Sequence, residues 1–311
     1  MAEKDNTESD EIMYCAACGV KEDNDMKLKK CTACYLVRYC SVKCQRDHRP
    51  QHKKECKKRA AELQDEILFQ QPNGSHHGDC PICFLPMPLE NHRSVKLACC
   101  FKEVCIGCTY ANELRELEGR LEHKCTFCRH PTPRTTEECD RALMKRVNAN
   151  DPAAIRHLGN RLYNKGDYGS AYQHWTKAAL LGDIEAHNLL SNLYREGKVV
   201  EKDLKKEVYH SEKAAIGGHA PARHNLGCHE FQNGSTERAV KHFIICANLG
   251  YGQSVNALKE LYARGAAGKE VYAAALRAYQ AAVDATKSVQ REVGETAQTR
   301  TDLYSTFHHR R

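Results

Sequence analysis

Residues 15–56 determine the fold of the N-terminal part of the chain. Their sequence is CAACGVKEDNDMKLKKCTACYLVRYCSVKCQRDHRPQHKKEC. A Cys-x-x-Cys turn lets two sulfurs reach one metal ion at about 2.3 Å without straining the backbone. Seven cysteines and one histidine provide the eight ligands that two tetrahedral zinc ions require. They form four closely spaced pairs: Cys15 with Cys18, Cys31 with Cys34, Cys40 with Cys44, and His52 with Cys56.

Disulfide bonding is the alternative use of a cysteine-rich segment, and 15 of the 18 cysteines lie between residues 15 and 128. That alternative requires an oxidising compartment. The first ten residues, MAEKDNTESD, contain no apolar signal segment, so we expect a chain of the cytoplasm or the nucleus, with no membrane partner. Metal binding is therefore the preferred interpretation of the spacing.

The spacing and residue types of this segment resemble the MYND zinc finger, most specifically in YCSVKCQ at 39–45 and HKKEC at 52–56. The resemblance implies a finger over residues 12–60 with two interleaved zinc ions. His48 is a second candidate histidine, but only His52 has the three-residue spacing to the last cysteine. The resemblance implies that one ion is held by Cys15, Cys18, Cys40 and Cys44, and the other by Cys31, Cys34, His52 and Cys56.

The finger also concentrates positive charge. Residues 15–60 contain 13 Lys/Arg against five Asp/Glu, a net of +8, whereas the whole chain carries +7. The basic run KKECKKR at 53–59 is compatible with nucleic acid, an acidic protein partner or a nuclear import receptor. A solvated helix face is the simpler interpretation, and no aromatic residues interleave with the lysines to stack on bases.

A helix and linker are expected over residues 61–78. Leu63 and Ile67 are four residues apart, as on one helix face, and Pro72-Asn73-Gly74-Ser75 breaks the pattern. We interpret His76-His77, within this linker, as a flexible polar pair rather than a metal site. The N-terminal residues 1–11 are expected to be disordered.

A second cysteine series follows in residues 79–131. CPIC at 80–83, CTFCRHP at 125–131, and an intervening helical stripe resemble a RING domain. The resemblance implies that Cys80, Cys83, Cys105 and Cys108 hold one zinc ion, and Cys125 and Cys128 part of a second. Lys102 stands where a RING has a histidine ligand. We favour the adjacent pair Cys99 and Cys100 as the remaining ligands, with His92 or another residue as the alternative.

The RING resemblance implies a possible enzymatic role without a catalytic nucleophile. RING-type ubiquitin ligases orient a charged ubiquitin-conjugating enzyme so that its thioester is aligned for attack. The family contacts that enzyme through an apolar residue between the first two cysteines, here Ile82, and a cation after the last cysteine, here Arg129. A purely structural zinc module is the alternative. Elsewhere the sequence contains no Gly-rich phosphate loop, Ser/His/Asp order or carboxylate pair.

Most of the sequence after residue 131 has patterns typical of α-helices. A connecting helix is predicted within residues 132–150, with a capping box of Thr135 and Glu138, and Asp151-Pro152 opens the next helix. The pattern Ala-x3-Leu starts at residues 154, 186 and 222, spacings of 32 and 36 that indicate an α-solenoid over 151–286. It resembles the Sel-1-like branch of the tetratricopeptide repeats. Residues 287–311 are polar and non-periodic, and we expect a disordered tail.

The repeat alignment assigns several conspicuous side chains to packing. Trp175 and Phe243 each precede a small helix-contact residue by three positions, and Cys246 occupies a position that holds alanine in the other repeats. Cys139 and Cys228 lack a spaced partner. We therefore expect buried side chains rather than nucleophiles or a binding hot spot.

The predicted fold class is multidomain: two small zinc-stabilised modules followed by an all-α helical-repeat solenoid, with about four zinc ions. The three-part order also resembles that of a set of unicellular-algal proteins. Our leading hypothesis is an intracellular zinc-binding adaptor or scaffold with protein partners. The second is a RING-type ubiquitin ligase that binds a ubiquitin-conjugating enzyme and recruits substrate through the solenoid. The third is a basic nucleic-acid-associated factor, which would bind with a steep salt dependence.

Overall fold

A computed structural model describes residues 13–133 and 135–308. The chain divides into two compact units, one ending at Gln70 and one beginning at Gln71, and each is described by itself. The predictions for residues 1–11 and for the last three residues, 309–311, fall outside the described residues.

The first unit is the finger and its helix. Strands β1 (Lys29–Lys30) and β2 (Arg38–Tyr39) pair antiparallel, and α1 (Val42–Leu68) follows. The hydroxyl of Ser41 accepts from the Cys44 N–H and caps α1. The buried apolar cluster is small and consists mostly of cysteines. Because so little carbon surface is buried, metal binding must supply much of the folding free energy.

The second unit begins with the RING-like module. A short 3-10 helix (Asn91–Arg93) leads into strands β3 (Ser94–Lys96) and β4 (Glu103–Cys105), which pair antiparallel. Helix α2 (Ile106–Glu118) follows β4 directly. This is the central helix that the apolar stripe predicts, but its buried face includes Asn112 and Glu116, while Leu117 is 76% exposed.

Ten further helices follow within the described residues, and those from α4 to α11 pack as consecutive pairs. The predicted Thr135–Glu138 capping box is confirmed, and Asp151 caps the helix that Pro152 opens. The bounds are α3 (Thr136–Asn148), α4 (Pro152–Asn164), α5 (Tyr168–Leu180), α6 (Ile184–Glu196), α7 (Leu204–Ile216), α8 (Ala220–Gln232), α9 (Thr236–Asn248), α10 (Gly252–Ala263), α11 (Lys269–Ala285) and α12 (Val289–His308). None of the described helices is long and apolar enough to cross a bilayer.

In two of the repeats, a large aromatic side chain packs against a glycine, which has no side chain of its own. A Cβ on Gly159 would lie 2.6 Å from Cδ1 of Trp175, and a Cβ on Gly227 would lie 2.7 Å from Cε1 of Phe243. Both aromatic rings are almost fully buried. The aromatic residues therefore act in helix packing, as the repeat alignment predicts.

The middle repeat uses a different pair at the same two positions. Ser191 aligns with the glycines and Ser211 with the aromatic residues, and their hydroxyl oxygens lie 2.6 Å apart. Two buried hydroxyls satisfy each other's hydrogen-bonding capacity. The middle repeat therefore joins its two helices at these positions by a hydrogen bond, where the other two repeats use a ring against a glycine.

The predicted disordered tail is wrong for residues 289–308, which form α12 and pack on α2. The two helices cross closely at glycines: a Cβ on Gly294 would lie 2.9 Å from the Cα of Gly107. The hydrogen bonds of α12 to the RING-like module come from the polar side chains of Gln290, Arg291 and Glu295. The sequence therefore has no apolar stripe to indicate this helix.

We expect Gly159→Ala to lower the free energy of unfolding of the solenoid by about 1–3 kcal/mol, because the new methyl group would overlap the Trp175 ring. Chemical denaturation followed by circular dichroism measures the change. Gly169→Ala is the matched control, because a Cβ there meets no atom within 4 Å. Equal stability of the two variants would contradict the packing interpretation.

Candidate metal centres

The finger brings its eight predicted ligands together as two groups. Four sulfurs bound at about 2.3 Å to a tetrahedral ion lie about 3.8 Å from one another. In the first group, Sγ of Cys40 is 3.6 Å from Sγ of Cys18 and 3.5 Å from Sγ of Cys44. All four donor atoms, including Sγ of Cys15, lie within 4.8 Å of one another.

The second group in the finger contains one imidazole. Nε2 of His52 is 3.2 Å from Sγ of Cys34, and Sγ of Cys31 is 3.8 Å from Sγ of Cys56. His48 is not in the group: its Nδ1 is 3.1 Å from the Tyr39 hydroxyl, and its ring stacks on His52. His48 thus packs against His52 from outside the donor set.

Backbone N–H groups favour the thiolate form of the first cysteine in three of the Cys-x-x-Cys turns. Burial by itself would raise the pKa of Cys15, but the backbone N–H groups of Cys18 and Cys40 lower that pKa to about 6. The same balance of burial against N–H groups lowers the pKa of Cys31 to about 6 and of Cys80 to about 7. A lowered pKa favours the thiolate, which is the form in which sulfur binds zinc.

The RING-like module also forms two groups. Sγ of Cys83 is 3.8 Å from Sγ of Cys105, in a group with Cys80 and Cys108. The cross-brace order implied by the RING resemblance is therefore present in space.

The second group contains both adjacent cysteines. Sγ of Cys99 is 3.4 Å from Sγ of Cys128, and Sγ of Cys100 is 3.8 Å from Sγ of Cys125. His92 is exposed and outside the group, and Lys102 is exposed as well. The adjacent pair that the sequence favours is thus the pair that converges.

The donor sets fit zinc. Three groups offer four sulfurs and one offers three sulfurs and an imidazole nitrogen, and all 18 cysteines are free thiols. Four protein ligands complete a tetrahedral shell, which is typical of zinc that holds a fold rather than zinc that activates water. The protein binds zinc, and the four groups accommodate about four ions.

The buried side chain of Arg291, on α12, lies beside the first zinc group of the RING-like module. Only 1% of the residue is exposed. Nη1 donates to the carbonyls of Pro86 and Thr286 at 2.7 Å each, and Nη2 donates to the Leu85 carbonyl at 3.0 Å. Nη2 also lies 3.4 Å from Sγ of Cys83.

A buried cation is stable here because the metal group is anionic. Zinc with four thiolates carries a formal charge of −2, and N–H groups directed at thiolates stabilise that charge. The amide of Gln290 adds a second contact, with Nε2 3.1 Å from the Gly107 carbonyl and 3.7 Å from Sγ of Cys108. Residues 182 to 208 positions away therefore complete the surroundings of the first group, and the sequence contains no spacing that could reveal them.

The interpretation of His76-His77 as a flexible pair is wrong. The side chain of His76 is 9% exposed, and its backbone N–H donates to the Gly218 carbonyl at 3.1 Å. Nδ1 of His77 lies 3.2 Å from a carboxylate oxygen of Glu103. The linker is thus held between the RING-like module and the solenoid.

His76, Glu185 and His219 form a fifth group of potential ligands, with donor atoms within 4.8 Å of one another. The Ala222 N–H donates to Nδ1 of His219, so the proton of this ring lies on Nε2 and is donated to Glu185 at 2.9 Å. A metal at Nε2 would move the proton to Nδ1, where it would oppose the Ala222 N–H. The group is therefore a carboxylate held by two imidazoles rather than a fifth zinc site.

The two positions implied to contact a ubiquitin-conjugating enzyme are both exposed, and the arginine is also hydrogen-bonded within the module. Ile82 is 36% exposed. Arg129 is exposed, but its Nη1 donates to the side-chain oxygen of Asn112 at 2.7 Å. Asn112 in turn donates to buried Glu116, which also accepts from the Lys124 N–H. This network ties the last zinc loop to α2 and fixes the arginine.

The helix of the finger lines a basic groove, which we define as the cavity of about 240 Å³ bounded on α1 by Gln45, Arg49, Lys53 and Lys57. These four residues are spaced by four and therefore share one helix face. The opposite wall includes Thr32. Three of the 13 cations of residues 15–60 thus line the groove, beside the zinc ligands Cys31, His52 and Cys56.

Comparisons with known proteins agree with the finger. The sequence model of the family described as MYND finger matches residues 15–56, so the N-terminal module is a MYND finger. No curated protein sequence matches the chain.

Two solved structures are similar to part of the chain. One is a Sel1 repeat protein from Oxalobacter formigenes, at 25% identity and a TM-score of 0.39, covering 49% of this chain and 64% of that one. The other is c5321, a protective antigen of uropathogenic Escherichia coli with an SLR fold, at 22% identity and a TM-score of 0.41, covering 48% and 34%. The chain spans less than two thirds of the length of either protein.

We expect Cys40→Ser to reduce the zinc content from about four ions per chain and to unfold the finger, because the two interleaved sites share one small core. Metal analysis and the NMR signals of residues 15–60 measure the two effects, while the solenoid signals remain. Cys139→Ser, outside every ligand group, is the control. A Cys40→Ser finger that stays folded with full zinc content would contradict the assignment.

We expect Arg291→Met to destabilise the RING-like module by about 3 kcal/mol and to speed loss of its first zinc ion, because three buried carbonyls and a thiolate lose their donor. Zinc release to a chromophoric chelator measures the rate. Arg277→Met, on the exposed face of α11, is the matched control and should release zinc as the wild type does.

Proposed function

We propose that this protein is an intracellular zinc-dependent adaptor, which connects protein partners through its MYND finger and its solenoid. The proposal rests on the number of protein ligands in each zinc group. Four ligands fill the tetrahedral shell, so the zinc ion has no position left for water or substrate. MYND fingers and helical-repeat solenoids are both protein-interaction modules. The free thiols favour the reducing cytoplasm or nucleus as the location.

We further propose that the basic groove of the finger binds an acidic protein segment. Two zinc ions with seven thiolates contribute a formal −3, so the +8 of residues 15–60 becomes about +5 when the finger is loaded. Three cations of α1, namely Arg49, Lys53 and Lys57, line the groove. Aligned cations beside a cavity favour an extended carboxylate-bearing chain through electrostatic complementarity.

Binding of a fluorescein-labelled Glu-rich peptide to the zinc-loaded full chain tests this proposal by fluorescence anisotropy at physiological salt. We expect the double variant Arg49→Gln, Lys53→Gln to weaken binding about threefold to tenfold, because it removes two groove cations. The matched control is Lys27→Gln, Lys29→Gln, which removes two exposed charges outside the groove. Equal loss in both double variants would indicate binding to net charge alone and would refute the groove.

The same assay addresses the nucleic-acid hypothesis when a labelled DNA duplex or RNA strand replaces the peptide. Tighter binding of nucleic acid than of the Glu-rich peptide, with a steep salt dependence, would favour a nucleic-acid-associated factor over the adaptor.

A second candidate function is a RING-type ubiquitin ligase, favoured by the exposure of Ile82 and Arg129 on the RING-like module. The test is ubiquitin discharge from a panel of charged ubiquitin-conjugating enzymes. The full chain is required, because a fragment of residues 79–131 would lack Arg291 and its contacts to the first zinc group.

We expect an active ligase to lose about tenfold or more of its discharge rate in both Ile82→Ala and Arg129→Ala, because the first loses an apolar contact and the second a cation. Arg141→Ala, an exposed position on α3, is the control. Absence of acceleration by a chain with full zinc content would leave the adaptor as the function.

A further inference from the structure

Three cavities follow one another along the solenoid, between the first helices of consecutive repeats, and we call them the first, middle and last grooves. The first groove, of about 330 Å³, lies between α4 and α6. The middle groove, of about 290 Å³, lies between α6 and α8, and the last, of about 180 Å³, between α8 and α10. Cys228 and Gln232 line both the middle and the last groove. Connected grooves fit an elongated occupant better than a compact small molecule.

The first and last grooves are built from the same positions of the repeat. Each residue that lines the first groove has a counterpart 68 positions later in the last groove, as Trp175 has in Phe243. The apolar floors of the two grooves are alike, because Tyr163 likewise corresponds to Phe231. The two grooves therefore share one packing arrangement, and differences between them point to something other than packing.

The polar rims are where these two grooves differ. Asn160 and Asn192 border the first groove, whereas Cys228 and Glu260 stand at the corresponding positions of the last. The repeat thus packs without an amide at either position. The two amides of the first groove are therefore available for binding.

The orientation of both amides is fixed by their partners within the protein. Nε1 of Trp175 donates to the side-chain oxygen of Asn160 at 2.8 Å, and Nη2 of Arg195 donates to the side-chain oxygen of Asn192 at 2.8 Å. Indole and guanidinium N–H groups can only donate, so each amide must turn its oxygen to that partner. The NH2 group of each amide is left to donate to a ligand.

The charge of the first groove does not favour an anion. Glu196 is the one formally charged residue among the described residues that line it. Its carboxylate lies 3.3 Å from Nζ of Lys198, whose side chain is 77% exposed. Arg195 is also exposed and lines the middle groove instead. The rim therefore offers two amide donors and one carboxylate acceptor, a pattern that matches the carbonyl and N–H groups of a peptide main chain.

We propose that the first groove binds an extended, uncharged peptide segment through its main chain, an inference that rests on the adaptor function and specifies its partner. Two carbonyls of the segment accept from the NH2 groups of Asn160 and Asn192, and a main-chain N–H donates to Glu196. Side chains alternate along an extended chain, so one can fill the floor while its neighbours face solvent. That floor is apolar and consists of Tyr163, Trp175, Leu189 and Leu193.

The chain contains one tryptophan, so the indole N–H signal of Trp175 in the NMR spectrum of the zinc-loaded full chain reports this groove alone. The probe is acetyl-Ser-Leu-Ser-Leu-Ser-amide, which carries no charge for the basic groove of the finger to attract. We expect the peptide to shift the indole signal in a saturable way. Isopentanol, which has the apolar branch of leucine without a main chain, is the control ligand and should leave the signal almost unchanged.

Asn192→Asp replaces the NH2 donor with a second acceptor and keeps an oxygen for Arg195. We expect the affinity for the peptide to fall about fivefold or more, because a peptide carbonyl would then face a carboxylate oxygen. Asn160→Asp should weaken binding in the same way while still accepting from Trp175. Asn256→Asp, exposed on α10 and outside all three grooves, adds the same charge and should bind as the wild type does.

A wild-type indole signal that the peptide leaves in place, or moves no further than isopentanol does, would overturn the proposal whatever the stability of the variants. Equal weakening in Asn192→Asp and Asn256→Asp would overturn it as well, because it would show an effect of charge alone. Either result would leave the adaptor function standing if the Glu-rich peptide still bound the finger. Failure of both peptides to bind the chain would count against the adaptor itself.

Discussion

Zinc–thiolate bonding is the interaction on which both small modules depend. The finger buries chiefly its own ligands, with Leu28 and Tyr39 as the principal other members of its core. The RING-like module buries little more, chiefly Met87 and Val104. Apolar cores of this size cannot offset the conformational entropy of ordering the loops, whereas a structural zinc ion contributes about 10–16 kcal/mol. The geometry of the loops therefore follows from the demand for tetrahedral sulfur sites.

The same bonding creates a need for compensating charge. A cluster of zinc and four thiolates is a buried dianion, and Arg291 is a buried cation placed directly beside one. Neither would be stable alone in an apolar environment, and together they fasten the last described helix to a module near the start of the second unit. Helix α12 is consequently part of the RING-like module in space, although Arg291 and Cys83 are 208 positions apart in sequence.

The solenoid depends on a different constraint, the filling of space between helices. Gly159 accommodates Trp175 and Gly227 accommodates Phe243, while the middle repeat places two serines there instead. The helices meet in each case through a pair of residues suited to each other, by shape in the outer two repeats and by a hydrogen bond in the middle one. The solenoid also contacts the preceding segments: Glu185 lies beside His76 of the linker, and His157 packs on Phe101 between β3 and β4.

Ligand identity in the metal groups could be predicted from sequence because zinc imposes local spacings. The paired cysteines, and the choice of His52 over His48, required only the reach of a short turn. The repeat helices were predictable from local pattern as well, since the same small contact residues recur at spacings of 32 and 36 residues. Local sequence therefore determined the modules, their order and most of their ligands.

Tertiary structure alone decided which distant polar groups meet. Helix α12 has no apolar stripe, so its sequence predicts a disordered tail. Only the packing of this helix on the RING-like module shows that Arg291 is buried. The sequence predicts a flexible pair of histidines in the linker. The structure instead places His76 against Glu185 and Gly218 of the solenoid. Charge pairs and hydrogen bonds between remote segments leave no periodicity in the sequence, because their energy depends on distance in space and not on spacing along the chain.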